Sequence, residues 1–180
     1  MSVFVALYRG INVGGKNPVR MESLRALHEG LGHKRVKTYI QSGNVVFSAG
    51  GSVDAITRKV AAAFAEEFGF AAKLMLVPAK RWGEIVKGNP YAKAAAENPK
   101  TVHAGICDGE PSEERLRALL TKLGGTESFV MGEGAIYLHA PDGFGTSKFA
   151  AGMEKACGVP MTVRNWRTME EIWNLAKPLV

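Results

Sequence analysis

Two successive stretches of this chain, residues 1–78 and 101–180, spell the same order of elements. In each, a short apolar run is followed by an amphipathic helix, a hairpin, a second helix and a final short run. This repeat constrains the fold more than any single motif does. Strands and helices mixed in that order bury their apolar faces by laying two helices on one side of a small sheet.

In the first stretch, Val3 to Tyr8 reads as a strand from its β-branched and aromatic residues. Met21, Leu24, Leu27 and Leu31 fall on one face of a helix that Gly30 and Gly32 bring to an end. Val36 to Ile40 and Val45 to Phe47 flank Gln41-Ser42-Gly43-Asn44, a tight-turn composition. A second helix runs from about Ser52 to Phe68, with Ile56, Val60, Phe64 and Phe68 at every fourth position, and a strand from Ala71 to Val77 stops at Pro78. Residues 79–100 read as a connector, with a short helical piece around Trp82, Ile85 and Val86 and turn signals at Asn89-Pro90 and Asn98-Pro99.

The second stretch repeats the order. Val102 to Cys107 is a strand, Ser112 caps a helix carrying Leu116, Leu119, Leu120 and Leu123, and Ser128 to Met131 pairs with Ala135 to His139 around Gly132-Glu133-Gly134. A helix with Phe149, Met153, Ala156 and Cys157 on one stripe and a strand Met161 to Arg164 follow. Thr168 and Glu171 form a T-x-x-E capping box, which predicts that a C-terminal helix begins there. The fold class expected is α+β: two tandem ferredoxin-like (βαββαβ) halves plus a C-terminal helix. Halves of this size make marginal cores alone, so they are expected to pack together with a groove between them.

Net charge is +6, and its distribution says more than its size. Residues 1–90 carry 13 Lys and Arg against 6 Asp and Glu, whereas residues 91–180 carry 10 against 11. The first half is therefore +7 and the second −1. A one-sided positive field points to anionic partners. No run of 18 apolar residues is present and the first residues lack a signal-peptide pattern, which predicts a chain that does not engage membranes. Cys107 and Cys157 stand fifty positions apart, a spacing that suits neither zinc nor a redox pair. Buried, inert thiols and a cytoplasmic, reducing compartment are the expectation.

Gly10-Ile11-Asn12-Val13-Gly14-Gly15-Lys16-Asn17 follows the first strand and nearly matches the phosphate-cradling pattern G-x-x-x-x-G-K-[ST]. The match fails at Asn17, which lacks the hydroxyl, and Pro18 denies the loop a helix start at the phosphate. What survives is a glycine-rich loop between Arg9 and Lys16 that can wrap an anion with backbone N–H groups and two cations. A second loop, Asp142-Gly143-Phe144-Gly145-Thr146-Ser147-Lys148, leads into a helix whose first-turn N–H groups and Lys148 form a comparable anion site. Arg164-Asn165-Trp166-Arg167 closes the last strand with residues able to stack on a base or sugar. Gln41 to Ser48 does not follow the RNA-recognition RNP1 pattern. The four histidines, His28, His33, His103 and His139, show no metal-ligand spacing, so neither metal nor cofactor is expected. No nucleophile elbow and no acid/base pair is visible.

Ala6 to Lys16, Thr38 to Phe47, Pro141 to Gly145 with Ser147-Lys148, and Arg164-Asn165-Trp166 together resemble the bacterial family called domain of unknown function 1697. The resemblance spans nearly the whole chain. It implies a tandem ferredoxin-like fold and brings no activity with it. One departure is Tyr8, where similar proteins often carry another apolar residue. The family pattern picks out polar groups at strand ends and helix starts, which suits binding better than packing. The predicted ligand-binding set is Arg9, Gly10, Asn12, Gly14, Gly15, Lys16, Asn17, Ser42, Asn44, Ser147, Lys148, Arg164, Asn165 and Trp166. The expected partner is phosphate-bearing, a nucleic acid or a nucleotide. The alternatives are an enzyme acting on a small phosphorylated or acidic substrate between the halves, and a protein-interaction module.

Overall fold

The computed structural model describes residues 1–180. The chain forms two compact units, Met1–Glu84 with Glu171–Val180, and Ile85–Glu170. The residues from Glu171 on, read from sequence as the end of the second half, belong to unit 1, and the connector from Ile85 on belongs to unit 2.

Unit 1 contains β1 (Ser2–Arg9), α1 (Met21–Gly30), β2 (Lys34–Tyr39), β3 (Asn44–Ala49), α2 (Val53–Phe68) and β4 (Lys73–Pro78). Its sheet is antiparallel throughout, in the order β2-β3-β1-β4. β1 and β3 occupy the centre because their apolar runs are continuous, which suits strands covered on both faces. Phe4, Ala6 and Tyr8 of β1 and Val45, Phe47 and Ala49 of β3 join Leu24 of α1 and Ile56, Val60 and Phe64 of α2 in one core. Val5, Leu7 and Val46, on the opposite sheet face, are buried as well. Ser52 caps α2 by accepting the Ala55 N–H at 3.2 Å, and Gly69 ends it at a φ of 75°. The edge strand β2 is different: Lys34, Arg35 and Lys37 are exposed, and the register slips between Lys34 and Lys37 where Arg35 takes a φ of 53°.

Unit 2 contains α4 (Ala92–Glu97), β5 (Val102–Cys107), α5 (Glu113–Leu123), β6 (Ser128–Gly132), β7 (Ala135–His139), α6 (Lys148–Cys157) and β8 (Met161–Asn165). Its antiparallel sheet has the order β6-β7-β5-β8. Leu116, Phe129, Ile136, Leu138, Phe149, Met153, Cys157 and Met161 form its core. Gly105 of β5 has no room for a Cβ, which would come within 2.5 Å of the Met161 sulfur. The division between units falls within α3 (Ala79–Lys87) and within α7 (Trp166–Ala176), and a short 3-10 turn, Lys177–Leu179, follows α7.

Two local readings are corrected. The connector holds a second helix, α4, whose short alanine-rich sequence has no apolar stripe to announce it. The T-x-x-E box at Thr168 does not start a helix, because α7 begins two residues earlier at Trp166. Asn165, at the end of β8, supplies the cap instead: its Oδ1 accepts the Thr168 N–H at 2.9 Å. No helix is long and apolar enough to cross a membrane. Both cysteines are free thiols, Cys157 buried and Cys107 half-buried. Burial, with Cys157 as a smaller contribution, pushes the Cys107 thiol up to about 12.

Candidate functional site

The Gly10–Asn17 segment folds back on itself as a small hairpin. Lys16 N–H donates to Val13 O at 3.0 Å, and Gly14 and Gly15 between them take φ values of 58° and 74°. Positive φ at both central residues is the primed-turn signature that glycine permits. Below the turn, Asn12 N–H donates to Asn17 O at 3.1 Å, and the Asn17 side chain donates to Gly10 O at 3.0 Å. This geometry is unlike a phosphate-cradling loop that feeds a helix. α1 starts only at Met21, its N-cap residue Arg20 makes no side-chain cap bond, and the surrounding sheet is antiparallel.

Asn12 holds the hairpin to its surroundings. Its Nδ2 donates to Val19 O and to Gln41 O, both at 2.8 Å, and its Oδ1 accepts the Val19 N–H at 2.7 Å. The amide therefore uses both donor hydrogens and an acceptor lone pair on backbone. Its φ of 54° is one that Asn tolerates better than most residues. The bond to Gln41 ties the hairpin to the β2–β3 turn. Asn44 secures that turn from the other side, donating to Tyr39 O and to the Ser42 hydroxyl, both at 3.0 Å. Gly43 sits directly on the core: a Cβ there would meet Ile11 Cδ1 at 2.6 Å and Tyr8 Cβ at 2.8 Å, and Tyr8 N–H donates to Gly43 O at 2.8 Å.

Two loops that are far apart in sequence thus form one braced surface. Gly10, Gly14, Gly15, Lys16 and Asn17 are exposed, and Arg9 ends β1 half-buried opposite Lys73. Val13 is 65% exposed and Ile40 is 49% exposed. Ile40 also takes a φ of 47°, a left-handed conformation that crowds a β-branched side chain. Sequence reasoning missed Val13 and Ile40, because an apolar residue beside a strand reads as core. The exposed cations Lys34, Arg35 and Lys37 lie along β2, which leads into Ile40.

Unit 2 treats its predicted residues differently. Ser147 caps α6, accepting the Ala150 N–H at 3.0 Å, and its hydroxyl donates to Glu127 Oε1. A carboxylate of the chain itself therefore lies at the helix start that was expected to hold an anion, where the helix dipole favours negative charge. Gly125 makes this arrangement fit, since a Cβ there would collide with Glu127 Oε2. Lys148 is exposed at the rim of a cavity of about 280 Å³ that also carries Glu127, Asp142, Thr126 and Thr146. Asp142 Oδ2 accepts the Thr126 hydroxyl at 2.6 Å. Glu127 and Asp142, fifteen positions apart, meet in this cavity only through the β6 and β7 hairpin, so no local spacing announces them.

Arg164, Asn165 and Trp166 are built into unit 2. Trp166 is 3% exposed and its indole N–H donates to Glu170 at 3.2 Å. Asn165 is the cap of α7 described above. Arg164 donates to Val163 O at 3.0 Å and to the Thr162 hydroxyl at 3.4 Å, and burial lowers its guanidinium to about 10, still charged near neutrality. No three His, Cys, Asp or Glu side chains come together in a way that would hold a metal ion.

Comparison with known proteins places these observations. The chain is similar in structure to a conserved bacterial protein from Streptococcus pneumoniae, with 23% identity and a TM-score of 0.66, over 97% of this chain and 98% of the other. At that identity the likeness speaks for the fold alone. No curated protein matches the chain. The family model described as protein of unknown function, DUF1697, matches residues 1–137, a span that takes in the Gly10–Asn17 hairpin and the β2–β3 turn, and the chain belongs to that family.

Proposed function

We propose that unit 1 binds a phosphate-bearing partner on the surface made by Val13–Lys16 and the β2–β3 turn, and that this partner is a nucleic-acid strand rather than a free nucleotide. The observation that carries the reading is Ile40. A half-exposed β-branched residue held at a φ of 47° costs on the order of 1–3 kcal/mol, and such strain gathers at sites of function. Asn12 and Asn44 brace the turn that contains it, and Lys16 stands on the neighbouring hairpin.

The parts divide the work of recognition. Lys16, with Lys34, Arg35 and Lys37 along β2, supplies positive charge for successive phosphates. The backbone of Gly14 and Gly15 lets a phosphate approach closely, and Val13 and Ile40 offer apolar contact to a base or sugar. A projecting turn suits an extended chain better than a small ligand, which needs a concave pocket to bury its surface. The cavity in unit 2 is a poor phosphate site, since Glu127 and Asp142 line it. We further read each unit as ferredoxin-like, on its element order and its strand orders β2-β3-β1-β4 and β6-β7-β5-β8.

Fluorescence anisotropy with labelled single-stranded RNA and DNA, repeated over a range of salt, tests the reading. Log affinity is expected to fall linearly with log salt, and Lys16→Ala to reduce the slope by about 1 with its effect spread over all sequences. Binding that is absent, or independent of salt, would sink it.

A further inference from the structure

We infer that β6 is an association edge, and that its occupant is β6 of a second copy of this chain, paired antiparallel about a two-fold axis through Val130. β6 ends the sheet of unit 2 and pairs only with β7. Its register is regular over all five residues, Ser128 to Gly132, with no bulge. Its sequence, Ser-Phe-Val-Met-Gly, has no charge and no proline. Edge strands are ordinarily protected by such features, and β2, at the edge of the other sheet, has three cations and a register slip. The contrast within one molecule marks β6 as the edge left open.

The register of the pairing follows from the hairpin. Gly132 and Ala135 flank the two-residue turn Glu133-Gly134, so they form a hydrogen-bonded pair. Alternation along the ladder makes Val130–Tyr137 and Ser128–His139 the next such pairs. The N–H and C=O groups of Phe129 and Met131 therefore face outward, and no backbone of this chain bonds to them. Antiparallel pairing centred on Val130 sets Phe129 of each copy opposite Met131 of the other, which satisfies all four outward groups of each strand. Val130 then meets its own copy in a close, non-hydrogen-bonded pair. It is 39% exposed and lies on the sheet face opposite the core residues Phe129 and Met131, so that contact buries apolar surface.

Charge favours a copy of this chain over a charged partner at this edge. The chain as a whole is +6, but unit 2, which holds β6, carries ten Lys and Arg against ten Asp and Glu, so the charge beside this edge is balanced. Beside the strand, Arg117 lies over the Phe129 ring at 5.0 Å and is paired with Glu113. The two charges neutralise each other beside the strand, so a like edge meets no uncompensated charge there.

Sedimentation equilibrium of the full chain over a range of concentrations tests the inference. The wild type is expected to dimerise, and Val130→Lys, which sets two cations face to face on the axis, to raise the dissociation constant at least about tenfold with unchanged circular dichroism. Val130→Thr, still β-branched, is expected to keep the dimer. Amide exchange of the wild type adds a readout that needs no variant: Phe129 and Met131 should exchange more slowly as protein concentration rises. A wild-type chain that stays monomeric would overturn the inference. So would a dimer that Val130→Lys leaves intact, or exchange at Phe129 and Met131 that ignores concentration.

Discussion

In the core of unit 1, His28 Nδ1 lies 3.0 Å from His33 Nδ1 while His28 Nε2 lies 2.8 Å from the Tyr8 hydroxyl. The three side chains form one buried hydrogen-bonded chain, with His33 stacked on Phe47 at 4.3 Å. Two neutral imidazoles satisfy it when one carries its proton on Nδ1 and the other on Nε2, and the Tyr8 hydroxyl donates or accepts to match. Burial, with His33 as a lesser contribution, holds His28 at about 3, and burial followed by the Lys59 charge lowers His33.

Acid should therefore unfold the protein through these groups. The unfolded histidines bind protons below their ordinary value near 6.5, which His28 refuses until about 3 while folded. The unfolded state binds more protons in that window, so stability rises with pH across it. The contribution is complete above about 6.5 and is lost as pH falls toward 3. His103, which burial lowers to about 4, acts in the same direction. Urea unfolding at a series of pH values should show a midpoint that falls steadily below pH 6.5 in the wild type, and a shallower fall in His28→Gln, which keeps a polar group and cannot titrate.

Asn12 should be worth more to stability than its half-buried place in a loop suggests. Asn12→Ala removes both donors and the acceptor that join the hairpin to Val19 and Gln41. A loss of about 2–3 kcal/mol is expected by urea denaturation, given roughly 1 kcal/mol for each hydrogen bond. A change within ±0.5 kcal/mol, the ordinary range of surface substitutions, would show that the hairpin stands without its clamp.

Ile40 should separate stability from binding. Ile40→Asn relieves the left-handed strain and removes the apolar contact, so the variant should be more stable by about 1 kcal/mol and bind oligonucleotide more weakly. Thermal melts and anisotropy on the same sample check both halves. A variant that is more stable and binds as well as the wild type would show that the strain serves no recognition.

Much of the architecture was legible in sequence, because apolar period and turn residues carried it. The four-residue spacing of Ile56, Val60 and Phe64, the cap at Ser112, and the continuous run of β1 are all strong local signals. The start of α7 was misread because Asn165, just past the strand read as Met161 to Arg164, reaches forward to Thr168 and takes the place of the T-x-x-E capping box. The site was legible only as a list of loops. Sequence marked Asn12, Asn17, Asn44, Asn165 and Trp166 as polar or aromatic residues in connections, whereas the fold uses their side chains to hold backbone or to anchor a helix. Ile40 and Glu127 carry the opposite lesson. Their positions depend on contacts with residues 20 or more places away, Asn12 for the turn of Ile40 and Ser147 for Glu127, which no local pattern encodes.

An amide NMR titration of the full chain with a short single-stranded oligonucleotide locates the contact residue by residue instead of inferring it from affinity. Shifts are expected to gather at Gly14, Gly15 and Lys16 and at Ile40 to Gly43, and to shrink as salt is raised. Shifts that gather instead around Lys148 or Arg164, with the hairpin and the β2–β3 turn undisturbed, would contradict the proposed contact.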